Sequence, residues 1–246
     1  MLSDNERRYI ANGLNSNCRV DGRHITDYRD AEIEIDVFPR ANGSSICTLG
    51  DSKCIVQIIG DVVERFSGKN YEVVVDKRSD INEEQLNDIK SVLSHFQIEL
   101  PEVGEKFQWF LTIKVSFTAA SGNIVDCCFL ALKCAIATTL LPKIKILNNE
   151  IEVVDDINLC KRISNADSFP IACSVLCISG NYCVDPCEEE ILAGTLLLHI
   201  ILSKDFCKIV TTNSGICSNL LLRNMIKSGK EIAHNRFEQI VSVLSK

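Results

Sequence analysis

Hydrophobic and polar positions change period several times along the chain, and each change marks an element. Residues 31–38 alternate, with Ile33, Ile35 and Val37 on one side and Glu32, Glu34 and Asp36 on the other, the pattern of a half-buried strand. Ser45–Leu49 and Cys54–Ile59 are short apolar runs joined across Gly50-Asp51-Ser52, which predicts a hairpin. Tyr71–Asp76 predicts another strand. From Asn82 to Phe96 the period lengthens: Leu86, Ile89, Leu93 and Phe96 recur every three or four residues, as on an amphipathic helix. Phe107 to Phe117 alternates strictly and predicts a long strand. Ile124–Leu141 is apolar nearly all round, broken by Asp126 and Lys133, and predicts a buried central helix ending near Pro142.

The second half repeats the theme. Ile151–Val154, Ile171–Ile178 and Tyr182–Val184 predict strands, with Gly180-Asn181 as a hairpin turn. Leu196–Leu202 and Phe206–Val210 predict a hairpin around Lys204-Asp205, and a helix closes the chain from about Ser218 to Leu244. At the other end, Ser3-Asp4-Asn5-Glu6 reads as a capping box opening a helix that Gly13 stops. The polar stretch Asp155–Ser168 reads as a surface loop. Each half is therefore strands followed by a long helix, and the expectation is one compact domain, 1–246, with approximate halves 1–142 and 143–246.

Composition narrows the function. The 246 residues include 26 basic and 33 acidic side chains, a net charge of −7. That argues against a stand-alone polyanion binder, because phosphate affinity comes from Lys and Arg. The charge is uneven: residues 61–110 are rich in acid and residues 204–246 in base, so pairing between subunits is open. Thirteen cysteines sit mostly in apolar runs, and no leader is read in the polar start MLSDNERRYI. They read as small buried hydrophobes in a reducing compartment. No apolar run is long enough to predict a membrane span.

Candidate chemistry is sparse. The four histidines are scattered, no CxxC pair exists, and no metal site or cofactor is predicted. There is no GxSxG elbow and no GxxxxGK[ST] loop. The acidic group Asp185, Glu188, Glu189 and Glu190 reads either as a metal or acid–base site or, more simply, as a solvated turn. Arg19, Arg23, Arg29 and Arg40 fall within 22 residues. They read as phosphate contacts or as ion pairs with Asp21, Asp27, Asp30 and Glu32, and composition favours the ion pairs.

Five blocks in order carry a resemblance. Arg19-Val20-Asp21-Gly22-Arg23 with Asp27-Tyr28-Arg29, Ala41-Asn42-Gly43-Ser44-Ser45 with Leu49-Gly50, Ser121 through Asp126, Val184-Asp185-Pro186, and Gly229-Lys230-Glu231 resemble the ribonuclease PH family, in its branch of RNA exosome ring subunits. The resemblance implies an α+β, ribonuclease PH-like fold (ribosomal protein S5 domain 2-like), with two pseudo-symmetric βαβα halves. It implies a hetero-hexameric ring of related subunits, RNA-binding cap proteins, a channel for single-stranded RNA, and a place in nucleus, nucleolus and cytoplasm. Active members hold phosphate with a Thr-Arg pair at the start of the central helix. The matching positions here are Ile124 and Val125, so the resemblance implies a structural subunit without catalytic residues. Asp185 stands at a residual family-aspartate position. The alternative is an active phosphate-dependent 3′-to-5′ exoribonuclease; a small-molecule-binding α+β domain is a third reading. Lys90, with Arg19, Arg23 and Arg29, are the RNA-contact candidates.

Overall fold

The computed structural model of the chain describes residues 2–76, 81, 83–93, 96–147, 150–154, 156–212 and 215–244. Helix α1 (Asp4–Asn15) begins as the sequence predicts. The Ser3 hydroxyl accepts from the Glu6 N–H, and the Glu6 carboxylate accepts from the Ser3 N–H at 2.7 Å. The helix does not stop at Gly13 but continues to Asn15. Gly13 serves a close approach instead: a Cβ there would lie 2.6 Å from the Cys18 carbonyl oxygen.

The first sheet contains β1 (Ala31–Ile35), β2 (Gly43–Leu49), β3 (Ser52–Glu64), β4 (Tyr71–Val75) and β5 (Phe107–Ala119), in the order β1-β2-β3-β5-β4. Only β4 runs parallel, against β5. The connection between them carries α2 (Glu83–Leu93), which lies within the predicted Asn82–Phe96 helix. The β2–β3 hairpin turns at Gly50, where φ is +55°. The strict alternation of β5 is physical: Trp109, Leu111, Ile113, Val115 and Phe117 are all buried on one face. β1 ends at Ile35, short of the predicted strand, because Asp36 takes a left-handed φ of +54°.

Helix α3 (Ile124–Thr138) lies between this sheet and the second one, and every residue from Ile124 to Ala137 is buried. It ends three residues before the predicted Leu141. Asn42 explains why: its carbonyl accepts from the Leu140 N–H at 2.8 Å, and its side-chain amide donates to the Leu140 carbonyl at 3.1 Å. Leu140 is thereby drawn into β6 (Leu140–Leu141).

A hairpin follows, β7 (Lys143–Leu147) with β8 (Glu150–Val154); the sequence pattern predicted only the second strand. The stretch expected to be a surface loop is mostly exposed. It nevertheless contains β9 (Lys161–Arg162), which pairs with β6, and it sends Ile163 and Ala166 into the core. The second sheet contains β10 (Ile171–Ile178), β11 (Asn181–Val184), β12 (Leu196–Leu202) and β13 (Cys207–Thr212), in the order β11-β10-β12-β13, all antiparallel. The tight turn before β11 is made by Ser179 and Gly180, both with positive φ, one residue earlier than predicted. A short helix, α4 (Glu188–Ala193), leads into β12, and α5 (Asn219–Leu244) packs on β10 and β12. The main hydrophobic cluster draws on both sheets, from Cys47 and Val56 to Ile201 and Phe237, with α3 at its centre. Among the described residues no helix is long and apolar enough to cross a membrane.

Candidate functional site

Three of the five resembling blocks meet at one place: residues 19–29, the start of α3, and the passage from β11 to α4. Arg19 is 4% exposed, and all five of its N–H donors have acceptors. Its Nε and Nη2 grip the Glu190 carboxylate at 2.8 and 2.5 Å, Nη1 reaches the carbonyls of Asp27 and Val184, and Nη2 also reaches that of Asp185. Burial works against this guanidinium's charge, but Glu190 outweighs it and holds the proton more firmly than usual. Glu190 in turn accepts from the Cys187 N–H at 2.9 Å, which ties the pair to the start of α4.

Asp185 follows β11 with a left-handed φ of +50° and no solvent exposure. Its carboxylate accepts from Arg29 Nε and Nη2 at 2.9 and 2.7 Å, from the Arg29 backbone N–H at 2.9 Å, and from Arg23 Nη1 at 3.0 Å. Asn123 Nδ2 lies 3.4 Å from the same group. The Asp185 carbonyl accepts from Arg19 and Arg23. A carboxylate has about four lone-pair sites, so this one is saturated from within.

Two expectations are corrected here. The acidic group is not a solvated turn: Glu188 and Glu189 are exposed, but Asp185 and Glu190 are buried and paired with arginine. Nor are the arginines paired mainly with neighbouring acids. The Arg23–Asp21 pair at 2.7 Å is local, while Arg19 and Arg29 reach partners more than 150 residues away. As RNA-contact candidates, Arg19 has no exposed donor. Arg23 and Arg29 keep only 15% and 14% of their side chains exposed, turned inward onto Asp185. Lys90 is exposed in the last turn of α2, away from this cluster. Ser94 and His95, four and five residues further along the sequence, lie outside the described residues.

The start of α3 is closed. Asn123 Oδ1 accepts from the Asp126 N–H, and Ile124 and Val125 are each 1% exposed. Gly122, with φ of +70°, lets the Cys187–Glu188 backbone lie against it, since a Cβ there would meet that backbone at 3.0 Å. A helix N-terminus attracts anions only where its N–H groups face the ligand. This one is closed by its own Asn123 cap and by the Cys187–Glu188 backbone beside Gly122.

Behind it runs a buried polar chain that the sequence pattern did not reveal. Asp126 accepts from the Tyr28 hydroxyl and the Ser174 N–H, each at 2.9 Å, and from the Ser174 hydroxyl at 2.6 Å. Ser174 Oγ also lies 2.7 Å from His199 Nδ1. Burial, followed by Asp185, pushes the Asp126 carboxyl up from its usual range, and the Ser174 bonds oppose that. Burial and Asp126 likewise raise the Tyr28 phenol. This is not a hydrolase triad, because the serine sits between acid and imidazole and all three are sealed from solvent. The available signal was polar residues stranded in apolar runs: Asp126 after Ile124-Val125, and His199 inside β12.

Outside this network lies an open cleft of about 490 Å³, lined by Asp21, Arg23, Arg29, Asp51, Ser121 and Glu189 among others. Its three carboxylates face two arginines already committed to Asp185, which disfavours a phosphate guest. Among the described residues no three His, Cys, Asp or Glu side chains gather so as to hold a metal ion.

Comparison with known proteins agrees with this architecture. Residues 27–142 match the family described as 3′ exoribonuclease family, domain 1. The Exosome complex component Rrp42 of Methanopyrus kandleri is 22% identical, covering 98% of this chain and 96% of its own. Its counterpart from Archaeoglobus fulgidus is 26% identical, covering 87% of each. A solved archaeal exosome core chain superposes with a TM-score of 0.74 at 21% identity over 96% of each chain. Rice Rrp46 superposes with a TM-score of 0.68 at 16% identity over 93% of this chain and all of its own. Residues 27–142 therefore resemble domain 1 of the 3′ exoribonuclease family, and the chain as a whole has the ribonuclease PH-like α+β fold.

Proposed function

We propose that the chain is a non-catalytic, structural subunit of an exosome ring, akin to the component called ribosomal RNA processing protein 42. In this role it supports 3′-to-5′ RNA processing and degradation carried out with its neighbours. The observation that carries this reading is the pairing of two facts at one site. By the resemblance, the phosphate-holding positions of active members correspond to Ile124 and Val125, which are buried and apolar, and Asp185 is locked by Arg23 and Arg29. Losing one charge-assisted anchor in such a site typically costs ~10²–10³ in rate. Two archaeal relatives matched over most of their length bear the exosome component name, which supports membership of the ring.

The partners that follow are other ribonuclease PH-like ring subunits and RNA-binding cap proteins, with single-stranded RNA passing through the assembled channel and Lys90 as the exposed contact candidate. The location that goes with it is nucleus, nucleolus and cytoplasm, where thirteen free thiols stay reduced.

The test is direct. The purified chain is incubated with 3′-tailed RNA, Mg²⁺ and inorganic phosphate, alone and after mixing with ring subunits. The expected result is no nucleoside diphosphate from the chain alone, and co-elution with the subunits as one larger species. Phosphate-dependent release by the chain alone would establish the exoribonuclease alternative. A chain that stays monomeric beside every ring subunit would remove the structural reading.

A further inference from the structure

β1 is the outer strand of the first sheet and pairs only with β2. Its register fixes which backbone groups are free. The Asp36 N–H donates to the Ser44 carbonyl at 2.9 Å, continuing the Ile35↔Ser45 pairing. Antiparallel ladders alternate, so residues 32 and 34 direct their backbone toward β2, while 31, 33 and 35 present theirs to the open edge. Among the described residues no further backbone bond covers that edge.

The side chains divide the same way. Glu32 and Glu34 stand on the outer face, flanked by Asp30 and Asp36, and all four are exposed. Ile33 and Ile35 face a groove of about 330 Å³, floored by Leu130 and Cys134 of α3 and walled by Ile240 and Leu244 of α5. Ile35 is 46% exposed. Arg236 lies at the groove's end, but its guanidinium is stacked over Tyr28 and bonded to the Arg29 carbonyl, so it does not offset the acid on the other face.

We propose that this edge accepts an added strand from a protein partner, an extended segment alternating apolar and basic residues. The open N–H and C=O groups of 31, 33 and 35 supply the ladder, and an exposed edge is a ready template for it. The partner's apolar side chains enter the groove beside Ile33 and Ile35. Its basic side chains lie against Glu32 and Glu34. The same four acids repel a nucleic-acid backbone. The inference goes beyond the ring reading: it states the chemistry of the segment, whether or not a ring neighbour supplies it.

The probe is a fluorescein-labelled eight-residue peptide alternating lysine and valine, titrated into the full chain at low salt and followed by anisotropy. A glutamate–valine peptide and oligouridylate serve as competitors. The wild type is expected to bind the lysine peptide and ignore both competitors. Ile35→Pro removes one edge donor at a position where proline is tolerated, and is expected to weaken binding by about tenfold or more. The double variant Glu32→Lys, Glu34→Lys is expected to reverse the preference toward the glutamate peptide, and it carries the test alone if Ile35→Pro does not fold. No binding of the lysine peptide, or its displacement by oligouridylate, overturns the proposal. So does unchanged binding and unchanged preference in the folded variants.

Discussion

Arg29 holds Asp185 with a two-toothed grip, its Nε and Nη2 at 2.9 and 2.7 Å from the two carboxylate oxygens, across 156 residues of sequence. Bidentate pairs of this kind combine charge with fixed geometry. Here the pair joins the segment before the first sheet to the end of β11 in the second. Asp185 is thus a structural keystone.

Asp185→Ala should therefore act on stability. It leaves Arg23 and Arg29 partly buried without their acid, and breaking a buried pair from one side costs about 3–5 kcal/mol. Asp185→Asn should cost less, because an amide still accepts one bond and asparagine tolerates the left-handed φ of +50°. Urea denaturation of both variants checks the order. A loss below about 1 kcal/mol for the alanine variant would show that the pair is not buried in solution.

The buried serine should behave as structure as well. Ser174→Ala removes the hydroxyl held at 2.6 Å from Asp126 and 2.7 Å from His199. Leaving those groups short of a partner should cost about 1–3 kcal/mol. A fluorophosphonate probe should leave the folded wild type unlabelled, since Ser174 has no exposure. Stoichiometric labelling detected by intact mass would contradict this geometry.

Lys133 gives the chain a pH signature. Its ammonium donates to the carbonyls of Asp167 and Phe169 and lies 4.1 Å from the Phe237 ring centroid, and burial lowers its pKa to about 8 despite the attraction of Asp167. Between about pH 8 and 10.5 the unfolded chain keeps a proton that the folded chain has released, so this group's contribution makes stability rise with pH across that window. Below pH 8 the cost of burying the charge is fully present. Lys133→Met lacks the titration. The stability of wild type relative to this variant should therefore increase from pH 8 to 10.5, measured by urea midpoints. A constant difference would place the ammonium in water.

Thiol chemistry should sort the thirteen cysteines by depth. Cys18 and Cys207 are exposed, and Cys160, Cys187 and Cys217 are half-buried. Burial and the nearby Glu190 push the Cys187 thiol up to about 12, so it should lag. Titration of the native protein with a disulfide reagent should give two fast thiols, then a slower set. All thirteen should react only in denaturant. More than five reacting in the folded state would mean that the core opens.

Much of the scaffold was legible because local period reports local burial. β5 alternates because one face is buried in the main core and the other is not. α3 is apolar all round because it has sheet on both sides. What was not legible came from partners distant in sequence. No neighbour of Arg19 in the sequence signals Glu190, and nothing around Tyr28 signals Asp126. The early end of α3 depended on Asn42, some 98 residues before Leu140. The resemblance singled out Asp185, Ile124 and Val125 but named none of the partners that surround them. It left open which acids were solvated, and burial decided that against the simpler reading.

The Arg19–Glu190 pair also sets an order of events. The two partners are 171 residues apart, and at roughly 5–20 residues per second a ribosome needs roughly ten to thirty seconds to bring the second out after the first. For that interval Arg19 has no Glu190 and Arg29 no Asp185 to close on, and α1 has neither β11 nor α4 to rest against. The first sheet and α3 can condense in the meantime, but the segment that precedes them must wait, solvated and unattached, until the second sheet arrives to receive it.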